Sequence, residues 1–189
     1  MTNTCALKRN RTESTMLECY YNSRLIGYLV LHDKFGFGQK RIVRLENAVD
    51  KYLDDYSNSL YETGYFENQL KKVWVDIREV VNQIPSRVKI LLTYGDKIPH
   101  KILRSDLVTI TSSLYTFFAI TIYAMNRDLK ISINKIKSDY LKWMQFNFGC
   151  LAEKNRLCIY DVVLVMADEC GYLDHRYEKE CDNSWVTKT

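Results

Sequence analysis

Leu107 to Asn126 reads LVTITSSLYTFFAITIYAMN, twenty consecutive residues without a formal charge. How that run folds decides the class of the protein. It is long enough to span a bilayer. Yet Thr109, Thr111, Ser112, Ser113, Thr116 and Thr121 dilute its apolarity, and no flanking anchor pattern singles it out. Thr, Ile, Tyr and Phe dominate, which would also suit a β-hairpin turning at Ser112-Ser113. We read the run as a helix, with Ser105 or Asp106 placed to cap it and Arg127 at its end. A helix that is apolar almost all round belongs at the centre of a bundle.

The flanking segments carry helical spacing. Upstream, Leu17, Tyr20, Tyr21, Arg24, Leu25, Tyr28, Leu29 and His32 recur at three to four residues, with Glu18 placed for a capping box from Thr15. Residues 1–13 are polar and basic and read as a loose N-terminal arm. Ile42, Leu45, Val49, Tyr52, Leu53 and Tyr56 mark the clearest amphipathic helix. Ser57-Asn58-Ser59 breaks it. A further helix is expected from Phe66 to Gln83 through Leu70, Val73, Trp74, Ile77 and Val81, ended by Pro85. Val88 to Tyr94 fits either a short strand or a helical turn. Ser132 or Asn134 opens a helix through Ile136, Tyr140, Leu141, Trp143, Met144 and Phe148, and Leu157 to Cys170 forms another, stopped by Gly171. The expectation is an all-α protein: a compact bundle of five to seven helices around a buried central helix, with at most one small strand element. A single helical domain would span 14–173, followed by a polar acidic tail at 174–189.

Between the first two helices lies LHDKFGFGQKRIVR, Leu31 to Arg44. Its two aromatic-glycine pairs make a tight connector, because glycine accepts positive φ and close backbone approach. A helix start with nearby cations can also hold an anion. Lys34, Lys40, Arg41 and Arg44 are therefore candidate contacts to phosphates or to a partner, with Phe35 and Phe37 either stacking on bases or plugging the core. Lys97, Lys101 and Arg104 belong to a second basic stretch, 84–104, which carries a balance of +4. Residues 1–160 sum to +8 and residues 161–182 to −5. A basic body with an acidic end either binds anionic partners or pairs with itself.

Enzymatic signatures are missing from the sequence: there is no G-x-S-x-G, Walker A or H-E-x-x-H motif. Cys158, Cys170, His175 and Cys181 are metal-ligand types, but their spacing is looser than the C-x-x-C pairs of structural zinc sites. The first fifteen residues hold no apolar segment of the signal-peptide kind, so we expect the six cysteines to be reduced cytoplasmic thiols. We expect no metal, no cofactor, no catalysis and no membrane association.

The run Leu31-His32-Asp33-Lys34-Phe35-Gly36-Phe37-Gly38-Gln39-Lys40-Arg41 resembles a segment of small uncharacterised proteins from phages and prophages of Gram-positive bacteria. In those, L-H-x-x-F-G-F-G-x-x-R precedes a basic amphipathic helix. The resemblance covers about Ile26 to Leu53 and carries over no catalytic residue. It implies an accessory protein of a mobile element, of a kind that regulates phage genes or blocks a host defence nuclease by binding it. The leading expectation is a non-enzymatic, anti-CRISPR-like inhibitor of a host nucleic-acid-directed defence complex, with exposed tyrosines and charged patches as its contact surface. The alternative is a nucleic-acid-binding phage regulator using the Lys34–Arg44 patch.

Overall fold

The computed structural model describes residues 3–62, 64–95, 98–153, 157–174 and 176. Among these every regular element is helical: α1 (Asn3–Phe35), α2 (Gln39–Ser57), α3 (Tyr65–Lys71), α4 (Ile77–Asn82), α5 (Ser86–Tyr94), α6 (Arg104–Arg127), α7 (133–152) and α8 (Ile159–Cys170). The fold is all-α. The eight helices exceed the expected number because the stretch read as one helix from Phe66 to Gln83 is two. The N–H groups of Val73 and Val75 both turn back to the Leu70 carbonyl, and Trp74 takes a left-handed φ of 62°. Val88–Tyr94 lies in a helix, not a strand, behind Pro85. Helix α1 starts at Asn3 instead of Ser14 or Thr15, so the backbone of the expected loose arm is helical from its third residue.

The 107–126 run lies inside α6, and α6 is the central helix, packing against α1, α2, α3, α4 and α5. Asp106 caps it from within the first turn, accepting from the Leu103 N–H at 3.2 Å. Ile110, Leu114, Phe117, Phe118, Ile122 and Met125 are essentially fully buried. By length and composition α6 could cross a membrane, but 56% of its apolar window is buried inside the bundle.

Helices α1 and α6 run side by side in the same direction. Cys19 Sγ reaches the Ile110 carbonyl at 3.9 Å, and Gly27 lies opposite Phe117. Helix α1 also packs on α5, α7 and α8, and its mid-point has a charged core. Arg24, only 4% exposed, pairs with Glu46 at 2.7 Å and Asp50 at 3.2 Å on α2, with its guanidinium over Tyr21. Tyr172 donates to the same Glu46. Beyond it the buried Asp174 accepts from Arg176, which also donates to Glu18 and Asn22 of α1. Packing thus continues past the expected boundary at 173, joining part of the acidic end to the body. The rest of that expected tail lies outside the described residues.

Within α7, residues Ile136–Leu141 form one π-helical turn, and the flanking turns are α. Ser132 caps the start, accepting from the Lys135 N–H.

Candidate binding surface

The connector works as its glycines suggest. Gly36 ends α1 at φ 63°, donating its N–H to the His32 carbonyl at 3.0 Å. Phe37 donates to the Leu31 carbonyl and turns its ring into the core, where it is 3% exposed. Its carbonyl accepts from Cys170 Sγ at 3.7 Å and lies 3.0 Å from His32 Nδ1, tying the turn to α8. Gly38, in extended conformation, starts α2, whose first turn holds no acidic residue.

Three cations are seated on aromatic faces around this turn. The Lys34 ammonium lies 3.4 Å from the centre of the Trp143 ring, the Arg41 guanidinium 4.6 Å from Phe37, and the Lys135 ammonium 4.9 Å from Phe35. The rings of Phe35 and Phe37 meet edge-on at 6.3 Å. Each ring attracts a cation through the negative charge of its π face. This corrects the stacking role considered for Phe37. Phe37 is a core plug with Arg41 over it, and Phe35 is half-buried beneath Lys135. Both rings anchor cations, and Phe37, buried in the core, presents no open face to a base. Lys40 is exposed beside them, and Arg44 donates to the Asp128 carbonyl at 3.4 Å.

The two basic stretches are not brought together. Arg104 opens α6 and Lys101 precedes it, whereas Arg44 contacts Asp128 just past the other end of α6. A 24-residue helix is about 36 Å long at roughly 1.5 Å per residue. Lys97 lies outside the described residues. In its place the structure supplies Lys135 and Trp143 from α7, which the sequence reading did not select. Nothing local marks them, since only the packing of α7 against the end of α1 shows their place.

The described tyrosines are buried or half-buried, and none is exposed. Tyr52, Tyr61, Tyr65, Tyr123 and Phe66 form an aromatic cluster joining α2, α3 and α6, with Tyr61 and Tyr65 stacked at 4.7 Å.

Of the metal-ligand types, Cys158 caps the start of α8, its sulfur accepting from the Asp161 N–H, while Cys170 closes the same helix. About 18 Å of helix separates them, so they cannot share one ion. His175 and Cys181 lie outside the described residues. Burial pushes the Cys19 thiol up to about 12 and raises those of Cys158 and Cys170, which holds all three protonated and poorly nucleophilic.

The fold and this surface together define a helical bundle with a cationic end fixed on an aromatic base. No family model, no curated protein and no solved structure matches the chain.

Proposed function

We propose that the protein is a non-enzymatic binding protein whose cationic end docks on an anionic surface of a partner. In the phage setting implied by the resemblance of Leu31 to Arg41, that partner is a host nucleic-acid-directed defence complex, inhibited by contact in the host cytoplasm. The observation that carries the reading is the trio Lys34, Arg41 and Lys135, each seated over an aromatic ring. Long cationic side chains lose rotamer freedom on binding, at about 0.5–1.5 kcal/mol each. Seating them beforehand lowers that loss. The test is a nuclease assay with a purified host effector complex and increasing amounts of the protein. Inhibition by the wild type, weakened about tenfold or more by Arg41→Glu or by Lys34→Glu with unchanged circular dichroism, is the expected outcome. Equal inhibition by wild type and both variants would move the contact elsewhere.

The same cation cluster favours a second reading, direct binding to nucleic-acid phosphates. Each neutralised duplex phosphate contributes about −0.9 to the slope of log affinity against log salt. Four contacts, from Lys34, Lys40, Arg41 and Arg44, would weaken binding on the order of a hundredfold between roughly 50 and 200 mM salt. Tight, sequence-selective binding of the isolated protein to DNA at physiological salt would replace the inhibitor by the regulator.

A further inference from the structure

Away from the cationic end, a furrow runs between α4 and α7, with an open volume of about 230 Å³. One wall carries Asp76 and Glu79 from the start of α4, the other Lys137 and Lys142 from α7. Val80 and Leu141 form its apolar floor. Among the described residues no ion pair crosses from wall to wall. Trp74 stands at the rim, 86% exposed, which makes it the most exposed large apolar side chain described. Its backbone is held in place despite that exposure. The backbone is left-handed at Trp74, its neighbour Val75 is buried, and the Trp74 carbonyl accepts from Lys137 Nζ at 3.0 Å. Where the furrow narrows, the Gln145 amide donates to the Gln83 amide oxygen.

We propose that this furrow is a self-association face, and that its occupant is a second copy of the chain related by a two-fold axis lying along the furrow. Opposed walls of opposite charge set strict terms for a partner. A uniformly acidic partner would be repelled by Asp76 and Glu79, and a uniformly basic one by Lys137 and Lys142. A two-fold along the furrow exchanges the walls, so each copy's carboxylates face the other's ammonium groups on both sides of the axis. The surface is then complementary to itself, which is what an isologous interface requires. The same rotation brings the two Trp74 rings together at one end, removing from water the most exposed large apolar side chain among the described residues. Tryptophan is among the residues most enriched where interface energy concentrates. Gln83 of each copy faces Gln145 of the other, and an amide, being both donor and acceptor, can pair with another amide. The face is separate from the cationic end, because Lys135 turns to Phe35 while Lys137 turns to Trp74.

Sedimentation velocity of the full chain, from micromolar to near-millimolar concentration, tests this. The wild type should show a concentration-dependent dimer. Trp74→Ala, Glu79→Lys and Lys142→Glu should each weaken it by about tenfold or more while leaving circular dichroism unchanged. Mixing Glu79→Lys protein with Lys142→Glu protein should restore a dimer that neither forms alone, because each reversed charge then meets its complement. A wild type that stays monomeric throughout overturns the proposal, including the case in which Trp74→Ala abolishes binding to some other protein. So does a dimer unaffected by Trp74→Ala, or a mixture that fails to recover.

Discussion

Gly27 stands in the middle of α1, where glycine ordinarily weakens a helix by about 0.5–1 kcal/mol relative to alanine. Its place is explained by a residue far along the chain. A Cβ at Gly27 would lie 2.6 Å from the Tyr140 hydroxyl oxygen, closer than real contacts allow. Tyr140 itself is fully buried, and its hydroxyl has no hydrogen-bond partner among the described residues. Gly27→Ala should therefore destabilise by about 1–3 kcal/mol through overpacking. Tyr140→Phe should be neutral or stabilising, since it removes a buried hydroxyl that bonds to nothing. In the Tyr140→Phe background the cost of Gly27→Ala should largely vanish, a coupling readable from urea melts of the four proteins. Strictly additive costs would mean that the clash does not explain the glycine. A glycine inside a helical pattern shows only a local cost in the sequence; the reason for Gly27 lies on α7.

At the scale of elements, what the sequence displayed was what local chemistry decides. The apolar face of α2, the capped start of α7 at Ser132 and the Gly171 stop of α8 all stand where their residues indicated. The boundary misplaced between α3 and α4 is one that coincides with a tertiary contact. Val73, Trp74 and Val75 keep helical spacing with Leu70 and Ile77, so periodicity alone runs straight through the turn that divides α3 from α4. That turn closes where Lys137 of α7 holds the Trp74 carbonyl. The π turn at Ile136–Leu141 is likewise invisible locally; it falls where the Tyr140 ring is accommodated beside Gly27. The β-rich composition of α6 left a hairpin open; the run is one continuous helix with eleven of its residues buried. If α6 is the element the rest packs upon, Phe117→Ala should cost about 3–5 kcal/mol in a denaturant melt, as large cavities do. Phe117 contacts Tyr20 and Phe118 edge-on at 5.8 and 5.1 Å, so near-ultraviolet circular dichroism should change with it. A loss below about 1 kcal/mol would mean that the site refills or that α6 is not the centre.

Across the whole molecule, charge and burial divide the chain differently from its sequence order. The Leu31–Arg44 letters pointed to the cationic turn, and four of its cations were legible. Lys135 and Trp143 were not, since they arrive from α7 about a hundred residues later; Lys101 and Arg104, read as part of a second basic stretch, lie at the other end of α6. Deeper inside, titratable groups on α1 and α7 are held neutral by burial. Burial raises the Cys19 thiol to about 12 and raises the phenols of Tyr20, Tyr28 and Tyr140 above their usual range. Each of these has a folded pKa above its unfolded one, so its contribution is fully present below the unfolded value and is lost as pH rises through the window between them. For Cys19 that window runs from about 8.5, the ordinary thiol value, up to about 12. The tyrosines add to the loss from about 10 upward. Asp174 behaves oppositely. Burial would raise its carboxyl, but the bonds from Arg176 outweigh that and hold it below the usual range, so its contribution is present above about 3.9 and is lost as pH falls further. The melting temperature should therefore form a plateau across neutral pH and fall on both sides. On the alkaline side each such group adds up to about 1.4 kcal/mol per pH unit to the decline. Cys19→Ala should flatten the first part of it, between about 8.5 and 10, and leave the acid side unchanged. Stability that holds level to pH 11, or an alkaline decline identical in Cys19→Ala, would show that these groups are not held neutral by the fold.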